Sequence, residues 1–477
     1  MATGTELKVY RGVWNRQHMG GTIIQVEAEH HRLLFDFGFI YDPGRALLER
    51  DIRERPLPLP DLIRRGILPP VEGVFPSRCL GEQLSLREEV LPYEALSGEK
   101  KMMVAISHLH LDHMAGMGWV APEIPVLLSQ PSARFYDILA EVGEGVGPVR
   151  PYRGVPYEEV IHHGPIRFSF VPIDHDVPGA AGLFIETPEV RMVYTGDFRC
   201  HGARRQVTQE FFEKVRAFRP HLLFMEGTTL SSPEELPEED LTRPDPLDPP
   251  FQTEGEVAEE LAKAFSHRGL AVVNLYLRNA DRLRSVLQAA EEAGRMVLVE
   301  PEWSWVYHRW WGFWLPIYVA RPDAPETALP PEVWQRPWFQ EVLSQAPRVG
   351  AKDVRYEPHR FLIQNSFENF WSLLDLPTEG GIYIHSGGTP LGAFDPRYPH
   401  LLQLVRSLGM EYRLLGNHGH AAPSHLLKVL AMAQPKVLVP IHSRYPERLA
   451  VRARRSFLPA HGVTYRVQAK ELSQMGR

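Results

Sequence analysis

A chain of 477 residues with 44% hydrophobic and 23% charged content can bury far more than one small core, and no apolar run approaches the ~18 residues of a membrane span. A net charge of −7 excludes a protein that simply coats nucleic acid through a basic surface, so any polyanionic substrate has to be held locally. Two cysteines, Cys79 and Cys200, exclude a disulfide framework and a cysteine zinc site, and an N-terminus without a basic-then-apolar leader points to the cytoplasm.

In chain order, the apolar runs 22–26 and 33–37 read as two arms of a hairpin, followed by the proline-rich connection "RPLPLPDLIRRGILPP". The run 102–106, "MMVAI", has the texture of a buried strand, and the cluster "SHLHLDHMAG" begins directly at its end. "RMVYTGDF" and "HLLFMEG" repeat the design, each an apolar run carrying an acidic residue at its C-terminal end, where a rigid sheet can hold a reactive group at a loop edge. Residues 231–251 are acidic and proline-dense and read as a linker at a domain boundary. Beyond it, Thr253 and Glu256 have capping-box spacing, with Val257, Leu261 and Phe265 on one helix face. "AVVNLYL", the helix of Leu283, Val286, Leu287 and Ala290, and "RMVLVE" then give strand, helix and strand, which predicts a parallel sheet.

His108, His110, Asp112 and His113 place four potential metal ligands in six positions. In an extended segment alternate side chains share a side, so His108, His110 and Asp112 converge and His113 turns away, an arrangement that serves two neighbouring metal ions. Imidazole and carboxylate without thiolate suit Zn²⁺ or another divalent first-row ion. His175 in "VPIDHDVPGAAG", Asp197 in "YTGDFR" and His442 in "VLVPIHS" complete the site if they fold beside it.

Together and in this order, these motifs resemble the metallo-β-lactamase superfamily. The resemblance implies an α/β fold, a four-layer αβ/βα sandwich of two sheets flanked by helices. It implies one zinc held by His108, His110 and His175, a second held by Asp112, His113 and His442, Asp197 bridging them, and Asp36 in "LLFDFG" supporting the motif. Asp197 and His442 are 245 positions apart, so a whole domain is inserted between two residues of one site. That insertion is similar to the cassette of the β-CASP nucleases, ribonuclease J and the cleavage and polyadenylation endonuclease among them. The implied organisation is a metallo-β-lactamase domain from 1–230 and 416–477 with a β-CASP domain at 231–415. Glu226 in "FMEGTT" matches the family's acidic residue, and His420 in "GNHGHAAP" its first additional histidine. Gly416, Asn417 and His418 depart from the ribonuclease J pattern of His-x-Ser before Gly-His, so the resemblance does not extend to a 5′-phosphate pocket.

The implied activity is two-zinc hydrolysis of RNA phosphodiesters, or of single-stranded DNA, by metal-bound hydroxide. His420 stabilises the phosphate or protonates the leaving oxygen, and Glu226 orients a metal-site histidine. Alternatives are a hydrolase of a small ester or phosphodiester, and an inactive RNA-binding subunit. The stretch "EWSWVYHRWWGFW" holds five of the ten tryptophans and reads as core, as a contact in a homodimer, or as a stacking platform for bases. Arg199, Arg204 and Arg205 read as a phosphate path or a solvated run, and His162 and His163 as loop residues.

Overall fold

The computed structural model describes residues 4–12, 19–41, 58–81, 90–230, 253–319 and 334–469. The linker expected at 231–251 lies outside them. The chain divides into two compact units, one drawn from Met1–Arg134, Val146–Pro246 and Gly419–Arg477, the other from Phe135–Gly145 and Leu247–His418.

The first unit is built on two sheets. Seven strands lie in the order Thr464–Val467, Thr5–Arg11, Ile23–Ala28, His31–Phe35, Lys101–Ile106, Val126–Ser129 and Arg153–Val155. Pairing is antiparallel through the Ile23–Ala28/His31–Phe35 hairpin and parallel from there on. Six strands form the other sheet, in the order Val437–Ile441, Leu222–Glu226, Arg191–Tyr194, Ala181–Glu186, Ile166–Pro172 and Ile161–His163. Its first three strands are parallel, and two of them, "VLVPI" and "LLFME", are buried along their whole length, as strands covered on both faces must be.

The two sheets share one core. Leu7, Val9, Ile24 and Phe35 from one pack in the same cluster as Phe168, Leu183 and Phe224 from the other. The Phe35 ring sits 5.0 Å from Tyr194 and 5.7 Å from Phe224 between centroids. Alternation along Ala181–Glu186 sends Leu183 and Ile185 into that core and Phe184 to the opposite face. There Phe184 meets Phe211 of helix Arg205–Phe218 at 5.5 Å, so a helix covers the outer face. This is the sandwich architecture of the expected α/β class. His162 and His163 belong to a strand rather than a loop, and His163 is buried with Nε2 donating to the Lys101 carbonyl at 3.1 Å.

The second unit holds a five-stranded sheet in the order Met296–Leu298, Phe361–Gln364, Ala271–Asn274, Ile382–His385 and Glu411–Leu414, parallel throughout. Helix Glu254–Phe265 opens with the Thr253/Glu256 capping box and buries Val257, Leu261 and Phe265. Helix Ala280–Glu292 buries Leu283, Val286 and Ala290. The tryptophan-rich stretch forms helix Pro301–Trp311, whose Trp303 and Trp305 are buried, which is the core role among its readings. Trp305 Nε1 donates to Glu141 at 2.8 Å, and Trp310 packs on Phe135. Asn417 accepts from Arg282 at 2.7 Å and donates to Glu254 at 3.1 Å. Among the described residues, no helix is long and apolar enough to cross a membrane.

Candidate metal centre

The strand Lys101–Ile106 delivers Ser107 and His108 to the sheet edge. The extended path then stops sooner than alternation predicts: His110 is the N-cap of a one-turn helix, Leu111–Met114, with the His113 amide closing onto the His110 carbonyl at 3.0 Å. This turn corrects the expected direction of His113. Instead of turning away it is buried, with Nε2 3.1 Å from Asp197 Oδ2. The turn is seated tightly: a Cβ at Gly38 would fall 1.7 Å from the Asp112 carbonyl oxygen, and one at Gly20, where φ is +75°, would fall 2.3 Å from Asp112 Oδ2.

Four more segments of the first unit reach the same place. His175 follows strand Ile166–Pro172, Asp197 follows Arg191–Tyr194, Glu226 ends Leu222–Glu226, and His442 follows Val437–Ile441. The side chains converge in overlapping groups whose ligand atoms lie within 4.8 Å of one another: His108, His110, His175 and Asp197; Asp112, His113, Asp197 and His442; and Asp197, Glu226, His420 and His442. Asp197 is common to all three. His442 Nε2 lies 2.8 Å from Asp112 Oδ2 and 3.6 Å from Asp197 Oδ2.

Outer contacts aim the histidines inward. Asp36, just past strand His31–Phe35 at φ +58°, accepts from the Ser107 amide at 2.6 Å, the Ser107 hydroxyl at 2.8 Å, His113 Nδ1–H at 2.6 Å and the Tyr194 hydroxyl. With the Ser107 proton so committed, its oxygen accepts from His108 Nδ1–H at 2.9 Å. His175 Nδ1–H donates to the Gly419 carbonyl at 2.6 Å. The Thr228 hydroxyl gives its proton to the His442 carbonyl and accepts from His442 Nδ1–H at 2.7 Å. Each of these four rings therefore presents Nε2 to the centre. Sequence reasoning missed Ser107, Tyr194 and Thr228; the signal available was only that each sits within three residues of a candidate ligand.

The donor set fits divalent cations. His108 Nε2, His113 Nε2 and Asp197 Oδ1 are buried without a hydrogen-bond partner, a costly state for polar atoms unless a cation satisfies them. Burial pushes His108 well below the usual imidazole range and His175 down to about 3, so both offer lone pairs. His113 moves the other way: burial opposes its charge, but Asp197, Asp112 and Asp36 outweigh it, and a proton is held where these carboxylates otherwise call for a metal.

Glu226 is buried, accepts from the Phe198 amide at 3.0 Å and the Thr228 amide at 3.2 Å, and meets His420. Burial works against an imidazolium there, yet Glu226 and Asp197 push His420 up to about 10. Arg199 is neither a phosphate path nor solvated: it is fully buried 3.5 Å from Asp174, which also accepts from the Arg204 amide. Arg204 donates to the His175 carbonyl at 3.1 Å, which ties it to the backbone of that loop.

The chain is similar to known proteins in sequence and in fold. Residues 76–262 match the family described as the beta-lactamase superfamily domain. Over 299 residues the chain is 20% identical to a ribonuclease J of Pyrococcus abyssi, covering 61% of this chain and 58% of the relative. Over 228 residues it is 25% identical to a ribonuclease J of Sinorhizobium meliloti, covering 46% of this chain and 38% of the relative. A crystal structure of a protein of unknown function from Enterococcus faecalis V583 is similar over 97% of this chain and 100% of its own, at 26% identity and a TM-score of 0.74. With two facing sheets, a histidine and aspartate centre at their edge and these relatives beside it, the matched stretch 76–262 is a beta-lactamase superfamily domain.

Proposed function

We propose that the protein is a nuclease of the β-CASP type that hydrolyses phosphodiester bonds of RNA in the cytoplasm, with two zinc ions as cofactors. In this reading 1–230 and 416–477 are the metallo-β-lactamase domain and 231–415 the β-CASP insertion. The observation that carries it is Asp197, shared between a group of three histidines and a group of Asp112, His113 and His442. The names of the two curated relatives support RNA as the substrate.

His108, His110 and His175 would hold one ion, Asp112, His113 and His442 the other, and Asp197 both. Such a pair supplies Lewis acidity: it lowers the pKa of a water at neutral pH and offsets the charge that builds on a phosphodiester. The chain's own residues do the rest. Asp36, Ser107, Thr228 and the Gly419 carbonyl lock four imidazoles in one tautomer, so no reorganisation is needed when charge develops. His420, protonated against Glu226, is placed to hold a non-bridging phosphate oxygen or to pass its proton to the leaving oxygen. Asn417 is committed to Arg282 and Glu254, and no 5′-phosphate pocket is assigned to it.

The test is digestion of end-labelled RNA and single-stranded DNA by the full chain, with metal content measured on the same sample. RNA cleavage that requires bound metal and disappears in Asp112→Ala supports the proposal. Undiminished metal-dependent cleavage by that variant overturns it, and cleavage of DNA alone reassigns the substrate.

A further inference from the structure

His110 differs from the other four histidines assigned to the ions. Their outer nitrogen is Nδ1, and each gives its proton to an oxygen: Ser107, Asp36, the Gly419 carbonyl and Thr228. The His110 ring is turned over. Its Nδ1 lies 3.0 Å from His175 Nε2, inside the cluster, and its Nε2 lies 3.2 Å from Asp176 Oδ1, within reach of that carboxylate though not aligned on it as a hydrogen bond in this structure. A separation of 3.0 Å between two nitrogens suits two ligands of one ion, since bonds of about 2.0–2.1 Å at tetrahedral or octahedral angles put ligand atoms roughly 3 Å apart. A neutral imidazole carries one N–H, so a ring that offers Nδ1 must be protonated on Nε2 and needs an oxygen acceptor there.

We propose that Asp176 is the positioning carboxylate of His110: it accepts Nε2–H and holds the ring with Nδ1 facing the first cation. The carboxylate is itself fixed by packing. A Cβ at Gly419 would stand 3.0 Å from its Cγ, so the carboxylate rests directly on the Gly419 backbone, whose carbonyl takes the His175 proton. Gly419 thus orients two ligands of the same ion, one directly and one through Asp176. Asp176 Oδ1 also lies 3.4 Å from His175 Nε2, close enough for a direct ligand, and that alternative is separable because an amide can replace the carboxylate as an acceptor but binds metal far less well.

This inference rests on the two-cation reading above. The experiment titrates the chelator-stripped full chain, parent and variants, with Zn²⁺ against a chromophoric chelator and with Co²⁺ by its visible spectrum. Asp176→Ala is expected to weaken one of two sites about 10–100-fold, with the other unchanged. Asp176→Asn is expected to stay within a few-fold of the parent and to keep its Co²⁺ spectrum. Parent-like affinity at both sites in Asp176→Ala overturns the proposal, as does Asp176→Asn falling as far as alanine with an altered spectrum, the signature of a direct ligand. A parent chain that takes up no second ion overturns the two-cation reading itself, a result distinct from either. Thermal unfolding of the metal-free variants, expected to match the parent, separates this role from a general packing role.

Discussion

Both carboxylate oxygens of Glu226 lie 3.2 Å from His420 Nδ1, and the pair stands beside Asp197, whose Oδ2 is 3.8 Å from the same nitrogen. His420→Ala removes the only cationic side chain placed here among the described residues of the centre that is not itself assigned to a metal ion. The expected result is a loss of about 100-fold or more in kcat on RNA with metal content unchanged. Glu226→Gln keeps the shape but removes the charge that keeps His420 protonated, so its activity should fall off at lower pH than the parent's as pH rises. Rate profiles from pH 6 to 10 check both.

Asp36 should be felt through the metal and not through the substrate. Its carboxylate accepts from four donors, among them His113 and Tyr194, and its φ of +58° is one that asparagine tolerates. Asp36→Asn therefore keeps the backbone and loses the charge. Metal affinity is expected to fall about 10–100-fold with KM for RNA little changed, measured by chelator competition alongside steady-state cleavage.

Trp305 anchors the tryptophan helix of the second unit, buried and bonded to Glu141 at 2.8 Å. Trp305→Ala is expected to cost roughly 3–5 kcal/mol, and Trp305→Phe, which keeps most of the buried area and loses the hydrogen bond, about 1–2 kcal/mol. Urea unfolding monitored by circular dichroism tests the ratio. RNA cleavage by Trp305→Phe should stay near the parent's, since a platform for bases would need this ring exposed.

His385 should impose an acid limit on stability. It ends strand Ile382–His385 at 1% exposure, its ring against Tyr398 and Tyr412, and burial pushes its pKa down to about 4. Below its unfolded value of about 6.5 the unfolded chain binds a proton that the folded chain refuses, so stability is lost as pH falls from there toward 4 and is unaffected above it. Between pH 7 and pH 5 this amounts to about 2 kcal/mol. In His385→Phe that part of the decline should vanish, which unfolding midpoints at the two pH values will show.

The strands were legible wherever hydropathy alone decides them. "MMVAI", "HLLFMEG" and the Glu254–Phe265 capping box all lie where their patterns put them, because burial on both faces or a local side-chain cap leaves no alternative. His108, His110, Asp112 and His113 could be named from residue type and spacing, while His175, Asp197 and His442 could be named only through the resemblance to a known family. What sequence could not supply was orientation. Period-two alternation fails at Leu111 because the chain turns into a helix there, and that turn brings His113 against Asp197. Arg199 looks like any arginine after an acidic loop; only the fold shows it buried on Asp174. Ser107 and Thr228 carry no motif, because any hydroxyl at the right distance would serve.

His442 is held in the left-handed region at φ +49°, its amide donating to the Gly12 carbonyl at 2.6 Å and its ring meeting Asp112 from 330 positions away. That conformation costs about 1–2 kcal/mol outside glycine, so strand Thr5–Arg11, which leads into Gly12, must already be in place for the ring to point inward. Order of synthesis then matters. Six of the seven side chains leave the ribosome long before the last, and the contact that closes the centre joins an early strand to a late one. A growing chain therefore holds an incomplete centre until His442 has been made and folded against Gly12 and Asp112.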